Sequence, residues 1–220
     1  MLSEIQERTQ PMKTNGKWCL DRQKYLTSEQ SKHLIEYCQQ ASEYDAARDR
    51  KNMVIGWIMV HVGLSAGLRV AEMADLRCGC GDCCVGYGQS QIVVRNGKGG
   101  KRGEVIIGKE LKRHLKAFLA AKKAWGEDVS DDAHLLLSKQ KEPFTTRGLQ
   151  VKFKAIARKV GLPNYFSIHC LRHSFGVELL RKSKNLRLVQ KQMRHSSVTT
   201  TTVYADVCAD EIQEAMDAFQ

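Results

Sequence analysis

The chain has 220 residues, and its 35 Lys and Arg against 24 Asp and Glu leave a formal charge of +11. With 42% hydrophobic and 27% charged residues it can bury a core, which argues against wholesale disorder, and its length suits one or two domains. The longest apolar stretch, Met53 to Leu68, is interrupted by His61 and falls short of the roughly 20 residues a membrane span needs. The opening residues alternate charge with isolated apolar side chains and lack the apolar core of a secretory signal, so a cytoplasmic or nucleoid protein with reduced cysteines is expected.

Residues 1–26 are polar and without sustained period, and read as a leader or linker. The domain is expected over 27–220. Thr27-Ser28-Glu29-Gln30 has the spacing of a capping box, and Leu34, Ile35 and Cys38 fall on one face of the helix it starts. The run from Met53 is apolar nearly all round, as in a central core helix. Ser65-Ala66-Gly67 interrupts it. Val70, Met73 and Leu76 then repeat at core-facing spacing, while Arg69 and Glu72 share another face.

The period changes at Gln91. Ile92-Val93-Val94 and Glu104-Val105-Ile106-Ile107 are β-branched runs that flank a basic, glycine-rich tip from Asn96 to Gly103, which predicts a hairpin. Helical patterns return over 111–124, 146–160, 169–181 and 186–193, with turns at Gly161-Leu162-Pro163 and Lys184-Asn185, and a short acidic amphipathic helix is expected over 209–219. The fold class is α+β, mostly α-helical with one small antiparallel β-sheet.

Three motifs point to other chemistry and fall short of it. Gly103 to Lys109 has the glycine spacing of a phosphate-binding loop, but Glu110 stands where Ser or Thr would hold magnesium. His169 and His173 are spaced as zinc ligands on a helix, but Cys170 occupies the place of a metalloprotease Glu. Cys78, Cys80, Cys83 and Cys84 crowd one loop, whereas structural zinc usually draws on two separated Cys pairs. No metal is expected, and these four cysteines are the candidate ligands if one binds.

A dispersed set suits phosphoryl transfer. It comprises Gly67-Leu68-Arg69-Val70-Ala71-Glu72, Lys98 on the hairpin, His169-Cys170-Leu171-Arg172-His173, and His195 followed by Tyr204. In order and spacing it resembles the tyrosine recombinase, or phage integrase, family over residues 27–208. The resemblance implies that family's catalytic-domain fold and a site-specific DNA recombinase that uses no cofactor, metal or ATP. It makes Tyr204 the nucleophile, Arg69 and Arg172 the phosphate-holding arginines and Lys98 the donor to the departing 5′ oxygen. His169 becomes the base and His195 a phosphate contact, with Glu72 and His173 supporting them from behind. Lys101, Arg102, Arg147, Lys152, Lys154 and Arg194 are the expected contacts to double-stranded DNA. Further copies of the chain are expected as partners, a tetramer in the synapse and a monomer when free, with the acidic terminal helix docked on a neighbour; no membrane is expected.

The residue types fit that chemistry. A phosphodiester gathers negative charge as the nucleophile approaches, and guanidinium offers a permanently charged fork to two oxygens at once. A phenol with a pKa near 10 is ionised in only about one molecule in a thousand at pH 7, so its proton has to leave during attack. Two features depart from the family pattern. Met193-Arg194-His195 stands where relatives commonly carry Leu-Gly-His, and residues 1–26 are too few for the helical domain that usually closes the clamp, as in a short member or a fragment. A topoisomerase-like enzyme that reseals the same strand and a DNA-binding regulator that never cuts are the alternative readings.

Overall fold

The capping box forms as expected: the Thr27 hydroxyl accepts from the Gln30 N–H at 2.9 Å, and Gln30 Oε1 accepts from the Thr27 N–H at 3.0 Å. It starts α1 (Ser28–Ala46) in a computed structural model that describes residues 20, 22–78, 90–97, 100, 102–195, 201–205 and 216. The apolar run becomes α2 (Asn52–Ala66), buried on nearly every side. It is the axis of the fold, with α1, α4 (Lys109–Ala124), α5 (Thr146–Lys159) and α6 (His169–Ser183) packed around it. Gly67 ends α2 in the left-handed region at φ 61°, and a Cβ there would lie 2.3 Å from the Phe175 ring, so both backbone and packing select glycine.

The chain then turns into α3 (Val70–Ala74), whose Val70 and Met73 are buried as their spacing predicts. The hairpin is present, each strand starting one residue before its β-branched run: β1 (Gln91–Val94) pairs antiparallel with β2 (Gly103–Ile106), with Ile92 opposite Val105. α7 (Leu186–Met193) packs on α6 and against β2, where the Gln192 side-chain amide brackets Ile106 by accepting from its N–H and donating to its carbonyl. Residues 201–205 are helical. None of the described helices is long and apolar enough to cross a membrane. The helix expected over 209–219 lies outside the described residues but for Met216.

Packing begins ahead of residue 27. Leu20, Tyr25 and Leu26 are buried, a 3-10 turn at Arg22–Lys24 lies against α6, and the Leu26 N–H donates to Ser174 Oγ at 2.8 Å. Leu20 and Tyr25 join Val177, Leu180, Val189, Met193, Val203 and Tyr204 in an apolar cluster separate from the main core. That cluster gives α6 an apolar wall on the side away from α2.

Between α2 and α4, His61 and His114 face each other with Nδ1 atoms 2.8 Å apart, and Trp57 stacks on His61 with ring centroids separated by 4.7 Å. A hydrogen bond between two ring nitrogens needs one of them unprotonated. Burial pushes both pKa values down to about 4, opposed at His61 by Glu110 and reinforced at His114 by His61. Because an unfolded histidine titrates near about 6.5, the unfolded chain binds more protons between pH 6.5 and 4. The pair's contribution to stability is therefore complete above pH 6.5 and is lost as the pH falls through 4. The urea midpoint should drop across that window, and His114→Phe should make the drop shallower; an unchanged slope would remove the pair as its source.

Candidate active site

Arg69 is the N-cap of α3, and its own backbone sets the position of Glu72. The Arg69 N–H donates to Glu72 Oε2 at 2.7 Å while the Arg69 guanidinium donates to Oε1 at 2.9 Å. Arg194 reaches the same carboxylate from the end of α7, Nη2 to Oε2 at 2.6 Å. The Glu72 side chain is 2% exposed. Burial alone would raise its pKa, but the Arg69 backbone N–H, Arg194 and the Arg69 side chain outweigh burial and hold it below the usual carboxylate value.

Arg172 lies one turn into α6 and is buried. Its Nη1 donates to the Gly67 carbonyl and its Nη2 to the Met193 carbonyl at 2.6 Å, so one guanidinium joins the end of α2 to the end of α7. Burial, then Arg69, lowers its pKa to about 10, with Glu72 and Tyr204 acting in the opposite sense. It therefore stays protonated at neutral pH. Guanidinium carries five N–H donors, and two carbonyls leave three of them for another acceptor.

Tyr204 packs its ring in the smaller apolar cluster and is 1% exposed. Its hydroxyl lies 3.2 Å from His173 Nδ1, and its ring stacks parallel to His195 with centroids 6.2 Å apart. Burial pushes the phenol pKa up to about 12, against the fields of Arg172 and Arg69. His173 and His195 are both driven down to about 4 by burial, then by Arg172, so at neutral pH each has a ring nitrogen free of a proton. His195 Nδ1 also lies 3.0 Å from Thr201 Oγ1, which ties the end of α7 to the helical segment that carries Tyr204.

Six of the expected residues thus meet in one basin: Arg69, Glu72, Arg172, His173, His195 and Tyr204. The histidine on the phenol is His173, not His169. His169 opens α6 on its exposed side, with desolvation and then Arg172 lowering its pKa. Arg194, expected on the DNA backbone, points inward here: with a left-handed φ of 53° at the end of α7 it pairs with Glu72. Lys152, expected on the DNA backbone as well, is held within the protein in this structure. Its Nζ donates to Asn52 Oδ1 at 2.9 Å near the Phe144 ring, and burial, then Lys139, lowers its pKa to about 8. Arg147 and Lys154 line a different groove of α5, together with Arg158 and Ser167, and Arg102 is exposed beside β2.

Lys98, Lys101, Cys80, Cys83 and Cys84 lie outside the described residues. Cys78 is buried with its Sγ 3.5 Å from the His134 carbonyl, and burial raises its pKa to about 11, so it sits there as a thiol. Among the described residues no group of three or more His, Cys, Asp or Glu is placed to hold a metal ion. One residue of the basin escaped the motif reading. A Cβ on Gly176 would lie 2.8 Å from Tyr204 Cε1, Tyr204 Cζ and Met193 Sδ, so a glycine on α6 makes the seat for the phenol. Its place one turn beyond Arg172, among bulky residues, was the available signal.

This mostly helical frame with its two-stranded sheet is the architecture of solved recombinases. The crystal structure of XerA recombinase is similar with a TM-score of 0.67 at 28% identity, covering 87% of this chain and 64% of that one. XerH site-specific recombinase, solved in a post-cleavage complex with palindromic difH substrate, has a TM-score of 0.70 at 22% identity, over 90% of this chain and 54% of that one, a likeness of fold. Tyrosine recombinase XerC of Serratia marcescens is 33% identical over 173 residues, 79% of this chain and 52% of that protein. Residues 24–211 match the phage integrase family, and the chain belongs to that family. It spans about half the length of the XerC relatives it matches.

Gly176→Ala should unseat the phenol. The Tyr204 ring resonances, assigned by their loss in Tyr204→Phe, should shift, and the phenol's titration midpoint should move from about 12 toward the free value near 10. Overpacking should also cost about 1–3 kcal/mol of stability in urea titrations. Unchanged resonances would show that the seat tolerates a methyl group.

Proposed function

We propose that residues 27–220 form the catalytic domain of a site-specific DNA recombinase, which cleaves and rejoins double-stranded DNA through a bond between Tyr204 and a 3′ phosphate. The observation that carries this is the convergence of Arg69, Arg172 and the Tyr204 phenol, with His173 Nδ1 on the phenol hydroxyl. Arg172 and Arg69 donate to the nonbridging oxygens as charge builds there; removing one such preorganised donor typically costs about 3–4 kcal/mol of barrier. Tyr204 Oη forms a bond to phosphorus, its proton passes to an imidazole, and the bond from phosphorus to the 5′ oxygen breaks. That oxygen leaves as a hydroxyl with a proton from Lys98. The energy of the broken ester is kept in the phosphotyrosyl bond, so a second strand's 5′ hydroxyl reverses the step and strands exchange through a four-way junction without metal or ATP.

Membership of the phage integrase family and the recombinase names of the relatives favour strand exchange over simple relaxation of supercoils or a regulator that never cuts. Exposed Arg102 and Arg147 and half-buried Lys154 supply positive charge for the phosphate backbone, which positions the duplex without reading its sequence. Recombination on paired sites needs several protomers, so the chain acts as a tetramer in the synapse, on DNA in the nucleoid. A nicked suicide substrate tests the chemistry. Tyr204→Phe should abolish the covalent adduct while leaving DNA retention unchanged, and Arg172→Ala should slow adduct formation by about 100-fold or more. An adduct that persists in Tyr204→Phe would overturn the nucleophile assignment.

A further inference from the structure

Glu72 is a buried carboxylate shared by two arginines of different freedom. The Arg69 side chain is 27% exposed and the Arg194 side chain 15%. Arg194 holds its place in spite of its backbone: it is a non-glycine residue at φ 53°, a conformation that strains most side chains. Its stem lies so close to Gly103 at the base of the hairpin that a Cβ there would be 2.8 Å from Arg194 Cδ. Its Nε has no hydrogen-bond partner among the described residues. Two residues earlier Gln192 is bonded to Ile106, so the end of α7 is moored to β2 on both sides of the arginine's approach.

A phosphate entering the basin competes with Glu72 for Arg69. A carboxylate this buried cannot be stranded cheaply, because removing the partner of a buried charge leaves its desolvation uncompensated. If Arg69 were the sole counter-ion, engaging the phosphate would carry that penalty. We propose that Arg194 is a positioning residue, the resident counter-ion of Glu72, and that by holding the carboxylate it frees the Arg69 guanidinium to turn onto the scissile phosphate. The Arg69 backbone N–H stays on Glu72 Oε2 throughout, so the carboxylate keeps one neutral hydrogen-bond donor and the ion pair with Arg194. The role in catalysis rests on the phosphoryl-transfer function proposed above; the sharing of Glu72 does not.

Two cycles on the full chain test this. Arg194→Gly removes the charge and suits the left-handed backbone, and Glu72→Gln removes the carboxylate charge while keeping an acceptor for the cap. Arg194→Gly should slow adduct formation on the suicide substrate by about 10-fold or more, yet by less than about threefold in a Glu72→Gln background. An equal loss in both backgrounds would mean that Arg194 serves the phosphate directly and would overturn the proposal, as would no loss in either. The second cycle is read by thermal unfolding without DNA. Arg69→Ala and Arg194→Gly together should lower Tm by about 5 °C or more beyond the sum of their single effects, and Glu72→Gln should remove the excess. Additive shifts would overturn the shared counter-ion. A wild-type chain that forms no adduct would sink the strand-transfer function, and the thermal cycle would still decide whether the two arginines share Glu72.

Discussion

A single buried guanidinium organises both the frame and the site. Arg172 bonds the Gly67 carbonyl at the end of α2 and the Met193 carbonyl at the end of α7, two helix ends that leave carbonyls without intrahelical partners. Both carbonyls belong to left-handed turns, at Gly67 itself and just before Arg194, so Arg172 satisfies the groups that those turns expose. Lysine cannot replace it, because one ammonium point charge lacks the planar fork that spans two acceptors and keeps further donors in reserve. Burial weakens the charge, since desolvation pulls its pKa to about 10, but leaves it ionised at neutral pH. The fold thus holds a permanent cation with spare donors where α2, α6 and α7 meet.

From that junction the rest of the basin follows by short steps. The turn at Gly67 feeds directly into Arg69, whose backbone caps α3 through Glu72. The turn at Arg194 feeds into His195, whose carbonyl accepts from Gln190 Nε2 and whose ring nitrogen meets Thr201. α6 supplies Arg172, His173 and Gly176 within about one turn, so the cation, the imidazole and the phenol's seat share one rigid element. A site on helix ends braced by one buried fork is better held than one on loops, which is what phosphoryl transfer by fixed charges requires.

Much of this was readable from residue order. The apolar run of α2, the Thr27 box and the β-branched pairs around the hairpin are local signals, and they emerge within a residue or two of where the pattern puts them. What escaped depends on contacts distant along the chain. Leu20, Tyr25 and Leu26 carry no period of their own and are buried because α6 lies under them. Lys152 and Lys154 are two apart on one basic helix, and only the packing of α5 against α2 tells which faces Asn52 and which faces the open groove. His169 and His173 have the same side chain one turn apart, and only the chain's return at Tyr204 selects the second. Arg194 looks like a surface cation until its backbone conformation turns it inward.

The seat of Tyr204 also limits what the free chain can do. Burial pushes the phenol up to about 12, so at neutral pH it is held almost entirely in its protonated form. The neutral His173 beside it, lowered to about 4, is too weak a base to remove that proton in the ground state. Burial supplies most of the upward shift, while the two arginines already pull the other way. Moving the ring out of the apolar cluster toward Arg69 and Arg172 would remove the unfavourable contribution and strengthen the favourable one together. Tyr204 is 1% exposed, so its hydroxyl is covered by protein in this conformation. For the phosphoryl transfer proposed above, this packed phenol is a resting position, held by the helical segment at residues 201–205 and its contact between His195 and Thr201.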